Sequence, residues 1–309
     1  MTHQAWGHDI LGKRGKKLNL EDHIRDYLSE CRSRGLSQNT LNTYQNSLGK
    51  FGVWARGRKL TLTSEVTRPL LREYSSELGT LLQPGGAHAR LRVMRSFFRW
   101  LHAEEEILKN PMERVALPKL SQQIGTAVGL QEVRQLLDSA KGTRNPLRDA
   151  AIIGTLFDCG LRVSELCGLG VLDVIQAGRL EVRQGKGGKV RVIPISRVAL
   201  RLIRRYVDGE RGTHSALQLF VSATGTAMNR DGVKQLLNRL CSLAGVKGYS
   251  PHTFRRGFAI EYLRAGGDVF SLQRILGHST LEMTRRYVAL SGEDLRVAHL
   301  SASPLSRLK

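Results

Sequence analysis

The chain has 309 residues, and its 48 lysines and arginines outnumber its 27 aspartates and glutamates, which gives a net charge of +21. This excess favours sequence-independent attraction to nucleic-acid phosphates. It is spread along the chain, because residues 1–115 hold 19 basic and 12 acidic side chains and residues 116–309 hold 29 and 15. Hydrophobic residues make up 41% of the chain, which argues against a solvated basic arm. A ribosomal or chromatin-like basic protein is the alternative that composition leaves open.

The cysteines and the apolar runs bear on the cellular compartment. Cys31, Cys159, Cys167 and Cys241 form no CxxC and no zinc-ligand spacing, so we expect buried thiols and no metal site. No signal peptide is recognised and no apolar run is long enough to span a bilayer, so the sequence predicts a cytoplasmic protein. The length predicts two domains.

A helical domain is predicted for residues 18–110. The periodicity indicates four helices, near residues 20–33, 38–57, 67–79 and 86–103. Ser37 is expected to begin the second and Thr67 the third. The apolar face of the fourth helix, predicted to be core, consists of Leu91, Met94, Phe98 and Leu101. The other positions carry Arg90, Arg92, Arg95 and Arg99, which fit a solvated face or a DNA-facing surface about equally.

The segments on either side of this domain have loop composition. Residues 1–17 are expected to be disordered, and their basic side chains either contact a DNA backbone or only keep the chain soluble. Residues 111–126 contain Pro111 and Pro118 and have the composition of a linker. Such a linker suits two domains that close around a rod.

The following segment predicts helices and one β-hairpin. Helices are expected near residues 130–140 and 147–157, the second ended by Gly160, and another begins at Arg162. Glu165 lies one turn after Arg162 and can hold its guanidinium; this segment alone favours a surface ion pair. Residues 179–194 predict a hairpin whose tip carries Lys186. Its glycines do not form a nucleotide-binding P-loop, because Lys189 is followed by a valine and a strand.

Two histidines, an arginine and a tyrosine near the C-terminus suit phosphate chemistry. Ser250 and Pro251 predict the start of a helix. On that helix His252 and Arg255, three residues apart, share one face.

The tyrosine is predicted to lie on a separate helix. Asp268 caps a helix that Gly277 ends, which leaves His278 in a turn. Residues 279–282 fit a capping box in which Ser279 begins the last helix. The turn lets His278 approach Tyr287, which one continuous helix would place on the opposite face.

Six residues in this order resemble the catalytic set of the tyrosine recombinase family, which includes phage integrases and Xer-type recombinases. They are Arg162 in GLRVSEL, Lys186 in GKGGK, His252 and Arg255 in PHTFR, His278 in LGHS, and Tyr287. Arg256 and Gly257 depart from the pattern, because many members carry a histidine and a small hydroxyl residue or alanine there.

The resemblance also implies a fold. It is mainly α with a small β-sheet, and it forms a C-shaped clamp around DNA. A helical, SAM-like core-binding domain would occupy residues 18–110, a linker residues 111–126, and a mixed α/β catalytic domain residues 127–309.

The same resemblance implies the chemistry. Tyr287 would attack a DNA phosphodiester to give a 3′-phosphotyrosine, without ATP, metal or any other cofactor. Arg162, Arg255 and His278 would bind the phosphate, with Lys186 as general acid and His252 as the partner that accepts the tyrosine proton. Four protomers would act on two double-stranded core sites, as a homotetramer or together with a paralogous recombinase. The C-terminal tail would pack on a neighbouring protomer or on its own domain.

Other functions stay open at the level of sequence. A type IB topoisomerase would share an arginine, lysine, histidine and tyrosine set, and relaxation of supercoiled DNA without a defined site would select it. A DNA-binding protein with a vestigial active site is a further alternative. Within the recombinases, the sequence leaves open chromosome dimer resolution during segregation, mobile-element integration or excision, and cointegrate resolution.

Overall fold

The computed structural model of the chain describes residues 19–119, 126–175, 178–183, 190–212, 214, 216–288 and 299. Lys186, residues 1–17 and nearly all of the chain after residue 288 therefore lie outside the described residues. The chain divides into two compact units, Met1–Ser121 and Gln122–Lys309. None of the described helices is both long and apolar enough to cross a membrane.

The described part of the N-terminal unit contains four α-helices, the number that the sequence predicts. They are α1 (Leu20–Ser33), α2 (Gln38–Gly57), α3 (Arg68–Leu81) and α4 (Pro84–Ala103). Ser37 caps α2 as expected, because its side chain accepts the Thr40 N–H. The fourth helix begins two residues before the predicted start, because Pro84 takes the first helical position, which its fixed φ suits.

The core of the N-terminal unit is built on the predicted apolar face of α4. Leu91, Met94, Phe98 and Leu101 are all fully buried there. Met112 and Val115 are buried in the same core, although their segment has the composition of a linker. Packing of this unit therefore extends to at least Val115.

The C-terminal unit contains eight described α-helices and one sheet. The helices are α5 (Leu130–Ala140), α6 (Pro146–Cys159), α7 (Val163–Gly168), α8 (Arg197–Tyr206), α9 (Arg230–Ala244), α10 (Pro251–Arg264), α11 (Val269–Leu276) and α12 (Leu281–Val288). The described strands are β1 (Val174–Ile175), β2 (Arg179–Arg183) and β3 (Val190–Pro194). The fold class predicted above, mainly α with a small β-sheet, is confirmed.

The sheet is antiparallel in the order β1-β2-β3. The predicted hairpin forms β2 and β3, and β1 adds a short strand that the sequence does not predict. Leu180 pairs with Ile193 and Val182 pairs with Arg191. Directly paired residues share a face of the sheet, and Leu180, Val182 and Ile193 are buried on it. Arg191 therefore faces the inner side of the sheet.

Side-chain caps explain where α10 and α11 begin. Ser250 caps α10 through the Thr253 N–H, and Asp268 caps α11 through the N–H groups of Phe270 and Ser271. The capping box predicted for Ser279 is wrong. The last helix begins at Leu281, so the residue before its first turn is Thr280.

Candidate active site

Arg162 and Glu165 form the first part of the site, where α6 ends and α7 begins. Gly160 has a left-handed φ of 58° and ends α6. Arg162 then precedes α7: its backbone N–H donates to Glu165 Oε2 at 2.8 Å and its Nη1 donates to Oε1 at 2.9 Å. The Glu165 side chain is only 4% exposed, against 39% for Arg162. The expectation of a surface ion pair is therefore wrong for the carboxylate.

Two further arginines surround the Glu165 carboxylate. Arg191 donates from Nη1 to Oε1 and from Nη2 to Oε2, both at 2.9 Å. Arg255 places Nη1 3.9 Å from Oε2, and its side chain is 3% exposed. Burial acts to raise the pKa of Glu165, but hydrogen bonds from Arg191 and Arg162 lower it below its ordinary value. Three guanidinium groups and one carboxylate leave a local excess of positive charge.

The C-terminal end of α11 holds the same three arginines. Three consecutive backbone carbonyls each accept one guanidinium N–H. The contacts are Arg191 Nε to Ile275 at 2.8 Å, Arg255 Nη2 to Leu276 at 2.6 Å, and Arg162 Nη2 to Gly277 at 3.4 Å. The last carbonyls of a helix lack intrahelical partners and carry partial negative charge. The helix end therefore both satisfies and fixes the guanidinium groups.

His278 directly follows this helix end in the chain, and the ring of Tyr287 stacks on its ring. Gly277 adopts a left-handed φ of 64° and turns the chain into His278. His278 Nδ1 lies 2.9 Å from Thr284 Oγ1. The rings of His278 and Tyr287 are stacked, with centroids 6.4 Å apart. Tyr287 is buried in an apolar cluster with Phe258 and other side chains of α10 and α11.

The positive charges perturb the neighbouring titratable groups. Burial, followed by the charges of Arg255 and Arg162, lowers the pKa of His278 to about 4. Burial and the charge of Arg162 lower the pKa of Arg255 to about 10. His278 is therefore neutral near pH 7, whereas Arg255 keeps its charge.

Of the other two predicted catalytic residues, the structure describes His252 but not Lys186. His252 lies in the first turn of α10 and is exposed, whereas Arg255, one turn later, is almost completely buried. Partial desolvation and the nearby charges of Arg256 and Arg255 lower the pKa of His252. Lys186 itself lies outside the described residues. Strand β3 of the hairpin predicted to carry it contacts Glu165 through Arg191.

The four arginines predicted to face DNA do not share one surface. Arg92, Arg95 and Arg99 follow helical spacing and line one groove beside α2 with Tyr44. Arg95 donates to the Val115 carbonyl at 2.7 Å, so part of its role is structural. Arg90 lies near Tyr74 instead, whose pKa it acts to lower. Arg99 also borders a second basic groove that the sequence did not indicate, whose other cations include Arg68, Lys109 and Arg114.

Sequence reasoning missed Arg191 and Thr284. Arg191 occupies an inward position opposite Val182, where the alternation of a half-buried strand favours an apolar residue. Thr284 is fully buried and lies one turn before Tyr287 on α12. A hydroxyl at that spacing from a candidate nucleophile is the signal that could have identified it.

Together these groups can bind a tetrahedral anion beside a phenol. Guanidinium groups bind phosphate oxygens in fixed geometry, and here they are held before any ligand arrives. A tyrosine hydroxyl next to such donors can act as a nucleophile towards phosphorus. The arrangement of these groups therefore suits chemistry at a phosphate.

Comparison with known proteins specifies the family. Residues 128–293 match the phage integrase family, and residues 22–105 match the N-terminal SAM-like domain of phage integrases. The chain therefore belongs to the phage integrase family. Its enzymatic class is that of the tyrosine recombinases, which carry out site-specific DNA recombination.

Individual relatives cover most of the chain. It is 34% identical over 278 residues to tyrosine recombinase XerC of Pelobacter propionicus. That alignment covers 89% of this chain and 92% of the relative. It is 31% identical over 283 residues to tyrosine recombinase XerD of Chlorobaculum tepidum, and this alignment covers 88% of this chain and 92% of the relative. A solved lambda integrase tetramer bound to a Holliday junction aligns with a TM-score of 0.74 at 20% identity, over 88% of this chain and 78% of that one. This last likeness shows a shared fold.

Proposed function

We propose that the protein cleaves and rejoins DNA strands at core sites through a covalent bond between Tyr287 and a 3′-phosphate. The observation that carries this proposal is the convergence of Arg162, Arg255, His278 and Tyr287 on the C-terminal end of α11. The four residues come from four different elements. No local pattern of charge or hydrophobicity requires that convergence.

Each group has a role that its surroundings support. Arg162, with 39% of its side chain exposed, contacts the non-bridging oxygens of the scissile phosphate. Arg255, buried behind it, completes the positive environment that stabilises charge in the transition state. His278 donates a hydrogen bond from its imidazole, which in the protein without DNA is neutral near pH 7 because its pKa is lowered to about 4.

Proton transfer involves the two remaining residues of the set. The phenolic oxygen of Tyr287 forms a bond to phosphorus while the bond to the 5′ oxygen breaks. His252 accepts the phenolic proton, and its lowered pKa keeps it neutral and able to do so. Lys186 donates a proton to the departing 5′ oxygen. The phosphodiester is exchanged for a phosphotyrosine ester, so rejoining by the reverse reaction requires no ATP, and the proposal assigns no step to a metal or another cofactor.

The proposal extends to domains and assembly. Residues 18–110 would act as the core-binding domain and residues 127–309 as the catalytic domain, and the two family matches support both assignments. Of the linker proposed for residues 111–126, Met112 and Val115 pack in the core of the N-terminal unit, so only the part after Val115 would connect the two domains. A tetramer on double-stranded core sites is part of the proposal, and the lambda integrase tetramer on a Holliday junction supports the tetramer. A paralogous recombinase would be an alternative subunit. Free thiols at all four cysteines support a cytoplasmic location.

Trapping on nicked DNA tests the proposal. The substrate is a duplex core site with a nick just downstream of the scissile phosphate, so that cleavage releases a short fragment and prevents rejoining. We expect a covalent complex that retains label on the 3′-phosphate side, that is absent in Tyr287→Phe and that is present in Tyr262→Phe as the matched control. A complex that persists in Tyr287→Phe would overturn the assignment of the nucleophile.

A further inference from the structure

Thr284 makes a side-chain contact that the six-residue set does not explain. Its side chain is fully buried, and its Oγ1 lies 2.9 Å from Nδ1 of His278. It precedes Tyr287 by three residues on α12, so the two residues lie on neighbouring positions of one helical face. The contact therefore joins the helix that carries the nucleophile to a residue at the end of α11.

The contact determines which ring nitrogen of His278 is available to a ligand. Nδ1 faces the buried threonine, so Nε2 is the nitrogen left for a phosphate oxygen. A neutral imidazole carries one hydrogen, on one nitrogen or the other. Only the Nε2–H form can donate to phosphate, because phosphate oxygens accept hydrogen bonds. The other form would direct the Nε2 lone pair at an anion.

Charge does not remove this choice between tautomers. Protonation of both nitrogens would make Nε2 a donor whatever Thr284 does. Burial and the positive charges of Arg255, Arg162 and Arg191 lower the pKa of His278 to about 4, however, while Glu165 acts in the opposite direction. Near neutral pH the ring is therefore neutral, and the position of its single hydrogen decides its function.

We propose that Thr284 is a positioning residue that donates its hydroxyl hydrogen to Nδ1 of His278 and thereby holds the ring in the Nε2–H tautomer. The inference rests on the proposed function, because it assumes that Nε2 binds the scissile phosphate. A threonine hydroxyl is both donor and acceptor. In the opposite arrangement Nδ1–H would donate to Oγ1, and Nε2 would lack a hydrogen.

The proposal couples the tautomer to the placement of the nucleophile. Thr284 and Tyr287 move together, because both belong to α12. A displacement of α12 that withdraws Tyr287 from the site also breaks the hydrogen bond to Nδ1. His278 then loses its preference for the donor tautomer at the same time as the site loses its nucleophile. The Nε2–H donor of His278 and the Tyr287 nucleophile are therefore both in place only when α12 is docked.

Nitrogen-15 NMR of the full chain without DNA tests the tautomer directly. Histidine-labelled protein is compared with His278→Gln, which assigns the signals of His278 by their loss. We expect the wild type to show a protonated Nε2 and an unprotonated Nδ1. Thr284→Val should give a mixture of tautomers, Thr284→Ser should restore the wild-type pattern, and Thr80→Val, at an exposed position on α3, should match the wild type. A predominant Nδ1–H form in the wild type would overturn the inference even if the valine variant failed to fold.

Cleavage of nicked DNA supplies the second readout. We expect Thr284→Val to form the covalent complex about tenfold more slowly, with unchanged DNA affinity, and Thr284→Ser to recover most of the rate. In a His278→Ala background the valine substitution should have no further effect, because both changes remove one interaction. An additional loss in that background would refute the positioning role. A wild type that shows the expected tautomer but forms no covalent complex would instead overturn the proposed function and leave the hydrogen-bond assignment standing.

Discussion

Replacing Glu165 by glutamine should destabilise the C-terminal unit more than any comparable change of a surface carboxylate. Glutamine has nearly the same shape, but it removes the negative charge shared by Arg162, Arg191 and Arg255. It also turns an amide NH₂ towards groups that are themselves only donors. The three guanidinium groups would then repel one another around a neutral side chain.

The structure sets the expected size of the effect. Loss of one partner from a buried ion pair costs about 3–5 kcal/mol of unfolding free energy. Arg162 is 39% exposed, and Arg191 keeps its hydrogen bond to Ile275, so we expect a value near the lower end, about 3 kcal/mol. Arg191→Met should cost less than Glu165→Gln, because it removes one of three like charges and leaves the carboxylate paired.

Urea unfolding followed by circular dichroism measures both variants at pH 7.5. Glu261→Gln is the matched control, because Glu261 pairs with Arg264 at the surface and should lose less than about 1 kcal/mol. A loss below about 1 kcal/mol for Glu165→Gln would refute the view that this carboxylate stabilises the cluster by balancing three guanidinium groups. A larger loss for Arg191→Met than for Glu165→Gln would refute it as well.

The pH dependence gives an independent check on Glu165. The pKa of its carboxyl group is lowered in the folded protein, so the unfolded chain binds a proton at a higher pH than the folded one does. The resulting stability is fully present above the ordinary pKa, 4.5, and is lost as the pH falls through the folded value. The difference between wild type and Glu165→Gln should therefore be constant above about pH 5 and shrink in more acidic solution.

Two further predictions concern packing and DNA contact. Gly257→Ala should destabilise the protein by about 1–3 kcal/mol, because its Cβ would collide with the Val128 carbonyl oxygen; thermal unfolding checks this against Gly49→Ala, which has open space, and equal melting temperatures would contradict it. Arg92→Ala with Arg99→Ala should lower the slope of log affinity against log salt by about 1–2 for duplex DNA, measured by fluorescence anisotropy. Arg90→Ala should leave that slope unchanged, and an equal drop would contradict the assignment of the groove.

Local signals explain why the helices could be predicted closely. Ser37 and Asp268 satisfy backbone N–H groups of the helices that they begin, and Gly160 ends α6 in a conformation that other residues adopt at a cost. These effects act within four residues and are visible in sequence. The failure at Ser279 has the same scale, because the helix begins at Leu281, one residue later than a cap at Ser279 requires.

The charge cluster could not be predicted, because its contacts join distant segments. Arg191 and Glu165 are 26 residues apart. Strand β3 offered a misleading pattern, in which Val190 and Val192 alternate with Arg191 as if the valines faced the core. Both valines are 52% exposed and Ile193 is buried, so the pairing with β2, and not the alternation within β3, decides the inner face.

Backbone carbonyls at the end of α11 orient two arginines that are far apart in the sequence. Arg255 uses one hydrogen of Nη1 for the Gly160 carbonyl and one of Nη2 for the Leu276 carbonyl. Each Nη carries two hydrogens, so these bonds orient the guanidinium and leave donors on the same atoms. Arg162 reaches the next carbonyl, that of Gly277, in the same way. Because helix-end carbonyls fix these groups before a ligand arrives, the phosphate binding proposed above would require little further ordering of the arginines.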